Sequence, residues 1–188
     1  MTIYICGGSN SILKDGWTRV FSSDPIDGSV VNLSIGGTHS ITALFRALFT
    51  ADLKVGDVLL WEYCLNDINQ LRRSPHNAQG LLSYFEILLT HCAQMGVRVG
   101  ALLLTNQAEA ASGGGKRYRI RLRKLLDAWK VPFAEPNAEY CEAAGIEALG
   151  EDFYQDRQHY AVDTAFMEFL SARGRALVGE ARVPAVCA

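Results

Sequence analysis

The sequence lacks an excess of charge of either sign, and it lacks any long apolar run. Its 188 residues include 18 lysines and arginines against 20 aspartates and glutamates, which leaves a formal net charge of -2. Nucleic-acid binding depends on a basic field that this composition does not supply, so we expect no nucleic-acid partner. A membrane-spanning helix needs about 20 predominantly apolar residues in succession, and because no segment has them we expect no membrane association.

Paired cysteines and a basic leader are also missing. The cysteines are odd in number and have no CxxC spacing, which favours buried free thiols in a reducing compartment over a metal site or a redox pair. They are Cys6, Cys64, Cys92, Cys141 and Cys187. The first six residues run straight into a Gly-Gly-Ser turn with no basic leader, so we expect no secretory signal and a cytoplasmic location.

Hydrophobic residues make up 49% of the chain, and a chain of this length can bury one sizeable core. We therefore expect residues 1–188 to form a single domain. Short apolar runs alternate with longer stretches of helical period, a pattern typical of β-α units around a parallel sheet. The predicted strands cover residues 3–6, 30–34, 58–62, 97–104 and 131–134. With helices between them, they predict a three-layer α/β/α sandwich.

Apolar spacing places three helices in particular. A helix starting near Thr38 or His39 has an apolar face at three- and four-residue steps, made by Ile41, Leu44, Phe45 and Leu48. A second helix covers residues 78–95 and stops at Gly96, and the last runs from about Asp163 towards Leu177.

A cluster of positive charge follows the glycine-rich stretch 112–115, which we predict to be flexible. The basic residues are Lys116, Arg117, Arg119, Arg121, Arg123 and Lys124. On a helical wheel they lie opposite an apolar face, so the segment predicts an amphipathic surface helix with a solvated basic face. The apolar face consists of Tyr118, Leu122, Leu125, Leu126 and Trp129. The alternative is a site for an anionic substrate or a cofactor phosphate, since clustered cations beside a flexible loop suit a phosphate.

Parallel sheets carry their functional residues on the loops at the carboxyl ends of the strands. The loop after the first predicted strand holds Ser9 in a tight glycine turn. Such a turn exposes the hydroxyl, and a nearby helix N-terminus favours developing negative charge, so Ser9 is a candidate nucleophile. The alternative is that Ser9 or Ser11 only caps the first helix.

Acyl transfer also needs donors directed at the oxyanion, commonly backbone amides together with an Asn side chain. Gly37, after the second strand, and Asn66, after the third, are the candidates. Each has a simpler explanation, because Gly36 and Gly37 can form a turn with positive φ, and Asn66 with Asp67 can cap the next helix.

A serine nucleophile needs a histidine base that is oriented by a carboxylate. Of the four histidines, only His159 has an aspartate three residues earlier, at Asp156. The pair lies in a predicted loop before the last helix, where one turn of chain can bring the two side chains together. The remaining histidines, His39, His76 and His91, are interpreted as structural or exposed.

These features resemble, in order and spacing, the four signature blocks of the SGNH (GDSL-like) hydrolase superfamily. The blocks are Gly-x-Ser after the first strand, Gly in the second loop, Asn-Asp in the third, and Asp-x-x-His near the C-terminus. The segment 31–37 is especially similar to the second block, and by that match Gly37 is the oxyanion glycine, with Gly36 the close alternative. The resemblance spans nearly the whole chain, and it implies a flavodoxin-like parallel sheet that works without a metal or redox cofactor.

The resemblance also implies a role for each matched residue. Ser9 would attack the ester carbonyl, and His159, oriented by Asp156, would move the proton. The amides of Ser9 and Gly37, with the Asn66 side chain, would hold the oxyanion.

Two positions depart from the family pattern. Gly8 stands where the family usually has Asp, and Cys64 stands where it usually has Gly. Neither position carries one of the four roles, so the departures concern loop geometry and substrate preference.

The implied substrate is a small-molecule or carbohydrate acyl ester. A short chain without an obvious lid favours small acyl groups, above all O-acetyl groups on carbohydrate. One alternative is a glycan O-acyltransferase of polysaccharide biosynthesis, whose basic helix meets an acyl-coenzyme A phosphate or an acidic glycan. The other is a catalytically degenerate binding module, which the two departures suggest and the intact Ser9, Asn66, Asp156 and His159 weigh against.

Overall fold

The computed structural model describes residues 1–23, 27–73, 77–112 and 115–185. Of the residues discussed above, His76, Gly113, Gly114 and Cys187 lie outside these ranges, so half of the predicted flexible stretch 112–115 falls outside them too. The strands are β1 (Thr2–Gly7), β2 (Ser29–Asn32), β3 (Val58–Glu62), β4 (Arg98–Leu102) and β5 (Phe133–Ala134). The helices are α1 (Trp17–Ser23), α2 (Ser40–Phe49), α3 (Cys64–Arg73), α4 (Ala78–Met95), α5 (Gln107–Ser112), α6 (Lys116–Ala128), α7 (Pro136–Ala144) and α8 (Ala165–Glu180).

All five strands are parallel and lie in the order β2-β1-β3-β4-β5. The chain therefore moves outward from β1 to β2 and then returns across β1 to place β3 on its other side. The carboxyl ends of β1 and β3 are level, because Gly7 pairs with Glu62. Ligands of open parallel sheets bind at such a reversal of strand order.

Helices cover both faces of the sheet. On one face α2, α4 and α6 contribute Leu44, Phe85 and Leu122 to one buried cluster, in which the Phe85 ring stacks on Trp61 of β3. On the other face α1 and α8 pack through Trp17, Phe21, Phe166 and Leu170 against β1 and β3. The predicted three-layer α/β/α sandwich is therefore confirmed. Among the described residues, no helix combines the length and apolar character that crossing a membrane requires.

Most predicted elements are present, with shifted ends. β3 has the predicted boundaries, while β4 and β5 are shorter than predicted. α4 ends at Gly96 as predicted, and this glycine adopts the left-handed φ of 67° that terminates a helix at low cost. α2 begins at Ser40, with His39 as its N-cap residue. Cys6, Cys64, Cys92 and Cys141 are buried free thiols, as predicted.

Two helices, α3 and α2, differ from the predictions. α3 begins at Cys64, only one residue after β3, so Asn66 and Asp67 lie in the first turn of a helix and not in a loop. On α2, three of the four residues of the predicted apolar stripe are exposed; the helix buries the fourth, Leu44, together with Ala43 and Ala47. The exposed members of that stripe are Ile41, Phe45 and Leu48.

Candidate active site

Three predicted side chains meet at the carboxyl end of β1. Ser9 opens a short 3-10 turn, Ser9–Ser11, one residue after β1 ends. Its Oγ lies 2.9 Å from Nε2 of His159, which is 150 positions away in the chain. Nδ1 of the same imidazole lies 2.8 Å and 3.1 Å from the two carboxylate oxygens of Asp156. The predicted serine, histidine and aspartate thus form one continuous hydrogen-bonded series.

The Asp156 carboxylate is held by the turn that carries it. Its Oδ1 accepts hydrogen bonds from the backbone N–H groups of Gln158, at 2.7 Å, and of His159, at 2.9 Å. Desolvation acts to raise the pKa of Asp156, but the hydrogen bonds from the His159 side chain and from these two amides outweigh it and lower the pKa. The carboxylate is therefore ionised at neutral pH, as the orienting partner of a histidine base must be.

Asn10, next to the candidate nucleophile Ser9, fixes the turn that carries His159. Its Nδ2 donates to the carbonyl of Gln158, and its Oδ1 accepts from the N–H of Tyr160, both at 3.1 Å. Asn10 is buried. Because these two bonds bracket His159 in the chain, the imidazole is held against the serine loop by the residue that follows the serine.

The second loop is joined to the serine loop by backbone contacts. The N–H of Ile35 donates to the carbonyl of Gly7 at 3.0 Å, and the N–H of Gly7 donates to Oγ of Ser34 at 2.9 Å. Gly36 lies against the candidate nucleophile Ser9, since a Cβ on Gly36 would come within 3.2 Å of Cβ of Ser9. Of the two adjacent glycines, Gly37 has the positive φ, at 73°.

The three candidate oxyanion donors are unengaged. Among the described residues, no hydrogen bond from the backbone N–H of Ser9, the backbone N–H of Gly37 or the carboxamide of Asn66 is present. Asn66 is 9% exposed and does not cap a helix. Unpaired donors beside a nucleophile are what an oxyanion site requires.

Gly8 and Asn66 occupy adjoining space. A Cβ at position 8 would lie 1.9 Å from Oδ1 and 2.8 Å from Nδ2 of Asn66. The Asn66 carboxamide therefore sits against the bare Cα of Gly8, where any other residue would place its side chain. This contact gives the first departure from the family pattern a structural reason, because the small residue at position 8 leaves room for the amide.

The second departure, Cys64, is the first residue of α3 and is fully buried. Burial raises the pKa of its thiol to about 12, so the side chain is a neutral, packed thiol. It is not positioned to replace any of the matched residues.

Glu62 lies beneath the serine loop and was missed by the sequence reasoning. Its Oε2 accepts from Oγ of Ser11 at 2.7 Å and from the N–H of Gly8 at 3.1 Å, while its Oε1 is buried without a partner among the described residues. Burial raises the pKa of Glu62 to about 7, although both hydrogen bonds act to lower it. A charged residue ending an otherwise apolar buried strand was the available signal.

Asp67 was also missed as a structural anchor. Its Oδ1 accepts from the N–H of Ser40 at 2.8 Å, and its Oδ2 accepts from the hydroxyls of Ser40 and Tyr118. Burial raises the pKa of Asp67 to about 7 against the effect of these bonds. Asp67 therefore ties the start of α2, which follows the second loop, to α3 and α6.

The basic face of α6 is only partly as predicted. Lys116, Arg117, Arg121 and Lys124 are exposed, as a solvated face requires. Arg119 is buried instead, and this prediction was wrong. Its Nε and Nη2 bond both carboxylate oxygens of Glu109, at 2.5 Å and 2.9 Å, and its guanidinium also donates to the carbonyls of Leu103 and Leu104. A helical wheel cannot show that a carboxylate and two strand-end carbonyls lie across from this position.

No protein-family model and no curated protein matches the chain. Solved structures, in contrast, are similar to this chain. Axe2, an acetylxylan esterase from Geobacillus stearothermophilus, is similar with a TM-score of 0.74 and 13% identity, over 95% of this chain and 94% of its own. The psychrotrophic esterase EstA from a Pseudoalteromonas species is similar with a TM-score of 0.68 and 16% identity, over 93% of this chain and 96% of its own.

A third structure, a member of the lipolytic protein G-D-S-L family from Veillonella parvula, is similar with a TM-score of 0.63 and 14% identity. It covers 96% of this chain and 95% of its own. These likenesses extend over nearly the full length of both chains in each comparison. The chain therefore has the fold of the SGNH (GDSL-like) hydrolases, as the four motifs predicted.

Proposed function

We propose that this protein is a serine-dependent hydrolase of small acyl esters, above all O-acetyl esters of carbohydrate. The observation that carries the proposal is the series Ser9, His159 and Asp156, in which each side chain lies within hydrogen-bonding distance of the next. The acetylxylan esterases among the structurally similar proteins support the choice of an acetyl group.

In the first half of the reaction, His159 accepts the proton of Ser9 as Oγ attacks the ester carbonyl. The carbonyl oxygen becomes an oxyanion held by the backbone N–H groups of Ser9 and Gly37 and by Nδ2 of Asn66. Asp156 stabilises the imidazolium that forms. When the tetrahedral species collapses, the bond to the alcohol oxygen breaks, His159 gives that oxygen its proton, and an acyl-serine remains.

In the second half, water replaces the alcohol. His159 takes a proton from the water, the hydroxide attacks the acyl carbonyl, and the same three donors hold the second oxyanion. Collapse breaks the bond to Oγ, and the proton on His159 returns to Ser9. The net reaction consumes one ester and one water and yields one acid and one alcohol.

A panel of p-nitrophenyl esters, from acetate to decanoate, tests the proposal with the Ser9→Ala variant. We expect turnover to be highest for acetate and to be lost in the variant without loss of folding, because the hydroxyl supplies the covalent step. Ser83→Ala on α4 is the matched control, since among the described residues its hydroxyl bonds only the carbonyl of Gln79.

A phosphonate ester identifies the nucleophile directly, and the similar esterase EstA is inhibited by monoethylphosphonate. Mass spectrometry of the labelled peptide should place the adduct on Ser9. An adduct on Ser11 or Ser34, or full activity of the Ser9→Ala variant, would remove Ser9 from this role.

A further inference from the structure

A chain of three carboxamides runs beside the catalytic histidine, and a backbone group fixes its polarity. Asn106 is fully buried, and its Oδ1 accepts from the N–H of Glu109 at 2.7 Å. Since a backbone N–H can only donate, the other end of this amide, Nδ2, must be the donor in its next contact. That contact is to Oε1 of Gln158, at 2.9 Å.

The orientation of the Asn106 amide also fixes the orientation of the other two amides, those of Gln158 and Asn69. Oε1 of Gln158 also receives a hydrogen bond from Nδ2 of Asn69 at 2.6 Å. Two atoms therefore remain available for other hydrogen bonds. Nε2 of Gln158 carries two N–H donors, and Oδ1 of Asn69 is a carbonyl acceptor. Within the described part of the chain neither atom has a partner, and neither is a buried unpaired atom, so both face solvent.

Both groups flank the site of ester cleavage. Gln158 immediately precedes His159 in the chain, and Asn69 lies one helical turn beyond Asn66 on the same face of α3. The alcohol must leave beside His159, because Nε2 of that imidazole gives its proton to the departing oxygen. Groups next to His159 therefore contact the alcohol part of the ester and not its acyl part.

We propose that Gln158 and Asn69 form a recognition site for a hydroxyl on the alcohol part of the substrate, which selects esters of polyhydroxy alcohols such as sugars. A hydroxyl accepts one hydrogen bond and donates another, so it matches an amide –NH2 beside an amide carbonyl. A hydrocarbon alcohol part such as cyclohexyl can make neither bond. This inference rests on the proposed ester hydrolysis at Ser9 and names the residues that select its alcohol part.

The test compares two acetates that differ in ring hydroxyls, mono-O-acetylated methyl xyloside and cyclohexyl acetate. The variant Asn69→Leu removes the acceptor at similar volume and leaves Gln158 anchored by Asn106. Losing one neutral hydrogen bond should lower kcat/KM for the xyloside acetate by about 5- to 10-fold, mainly through KM. Hydrolysis of cyclohexyl acetate should not change. Gln94→Leu is the control, an exposed amide in the last turn of α4, at the opposite edge of the sheet.

The outcomes separate this inference from the function on which it rests. A selective loss on the xyloside acetate, absent in the control, supports the recognition site. An equal loss of kcat/KM on both acetates means that Asn69 only supports the turn around His159. No loss on either acetate means that the Asn69 carbonyl does not contact the substrate. Each of these two results overturns the inference and leaves the proposed ester hydrolysis intact. If the wild-type protein hydrolyses neither these acetates nor p-nitrophenyl acetate, the proposed function fails and the inference fails with it.

Discussion

Replacing Gly8 by alanine would put a methyl group into the space that the Asn66 carboxamide occupies. The backbone at Gly8 is extended, with φ of -84° and ψ of -157°, which alanine adopts without strain. The collision is with the Asn66 side chain, because the three nearest atoms to the new Cβ all belong to its carboxamide and Oδ1 would lie at 1.9 Å. We expect the Gly8→Ala variant to fold and to displace the Asn66 amide.

The size of the effect follows from this geometry. Oδ1 must retreat by about 1 Å to reach an allowed contact, and a displacement of that size in a catalytic group can cost about 100-fold in rate. Complete loss of one oxyanion donor costs about 10²- to 10³-fold in kcat. We therefore expect Gly8→Ala to lower kcat for p-nitrophenyl acetate by about 10²- to 10³-fold, with a smaller change in KM.

A double-mutant cycle with Asn66→Ala tests the cause of this loss. If Gly8 acts through Asn66, the double variant should be no slower than Asn66→Ala alone, because the displaced amide is already gone. The reasoning is refuted if the loss of kcat in the double variant equals the product of the two single losses, or if Gly8→Ala turns over at the wild-type rate. Gly179→Ala on α8 is the control glycine, since a Cβ there meets open space, and circular dichroism reports whether each variant folds.

Three further outcomes are expected. Asp156→Asn should lower kcat by up to about 10⁴-fold at unchanged stability, since the amide cannot stabilise the imidazolium; normal kcat would exclude the orienting role. The free energy of unfolding of the wild type should fall as pH rises from 4.5 to about 7, because the folded chain keeps the Glu62 proton that the unfolded chain releases. Glu62→Gln should make that decline shallower in denaturant titrations at pH 5 and 8 without abolishing it, because Asp67, whose pKa burial also raises to about 7, contributes the remainder. An unchanged slope would contradict the contribution of Glu62. Arg119→Met should destabilise the fold by about 3–5 kcal/mol because it breaks the buried ion pair with Glu109, whereas the exposed Arg117→Met should change stability by less than about 0.5 kcal/mol.

The alternation of apolar runs and helical periods was sufficient to predict the layers and the strand positions. β3 could be placed to the residue, because a central parallel strand is apolar on both faces and every residue of it is buried. The contact between Asp156 and His159 was equally predictable, since three residues separate them and one turn of chain closes the distance. Ser9 was predictable as a candidate because its glycine turn follows a strand directly.

Other features depended on which residues the crossovers of the chain bring together. The motif Asn66-Asp67 reads as a loop or a helix cap, yet α3 has already begun, and Asp67 instead holds the start of α2 through Ser40. The burial of Arg119 and the position of Gly8 against Asn66 likewise depend on contacts between segments that are distant in the chain. Local patterns report which face of an element is apolar, but hydrogen bonds and steric contacts between distant segments depend on three-dimensional positions that no single segment encodes. The 2.9 Å contact between Ser9 and His159, across 150 positions, exists only because β1 and the loop before α8 meet at one edge of the sheet.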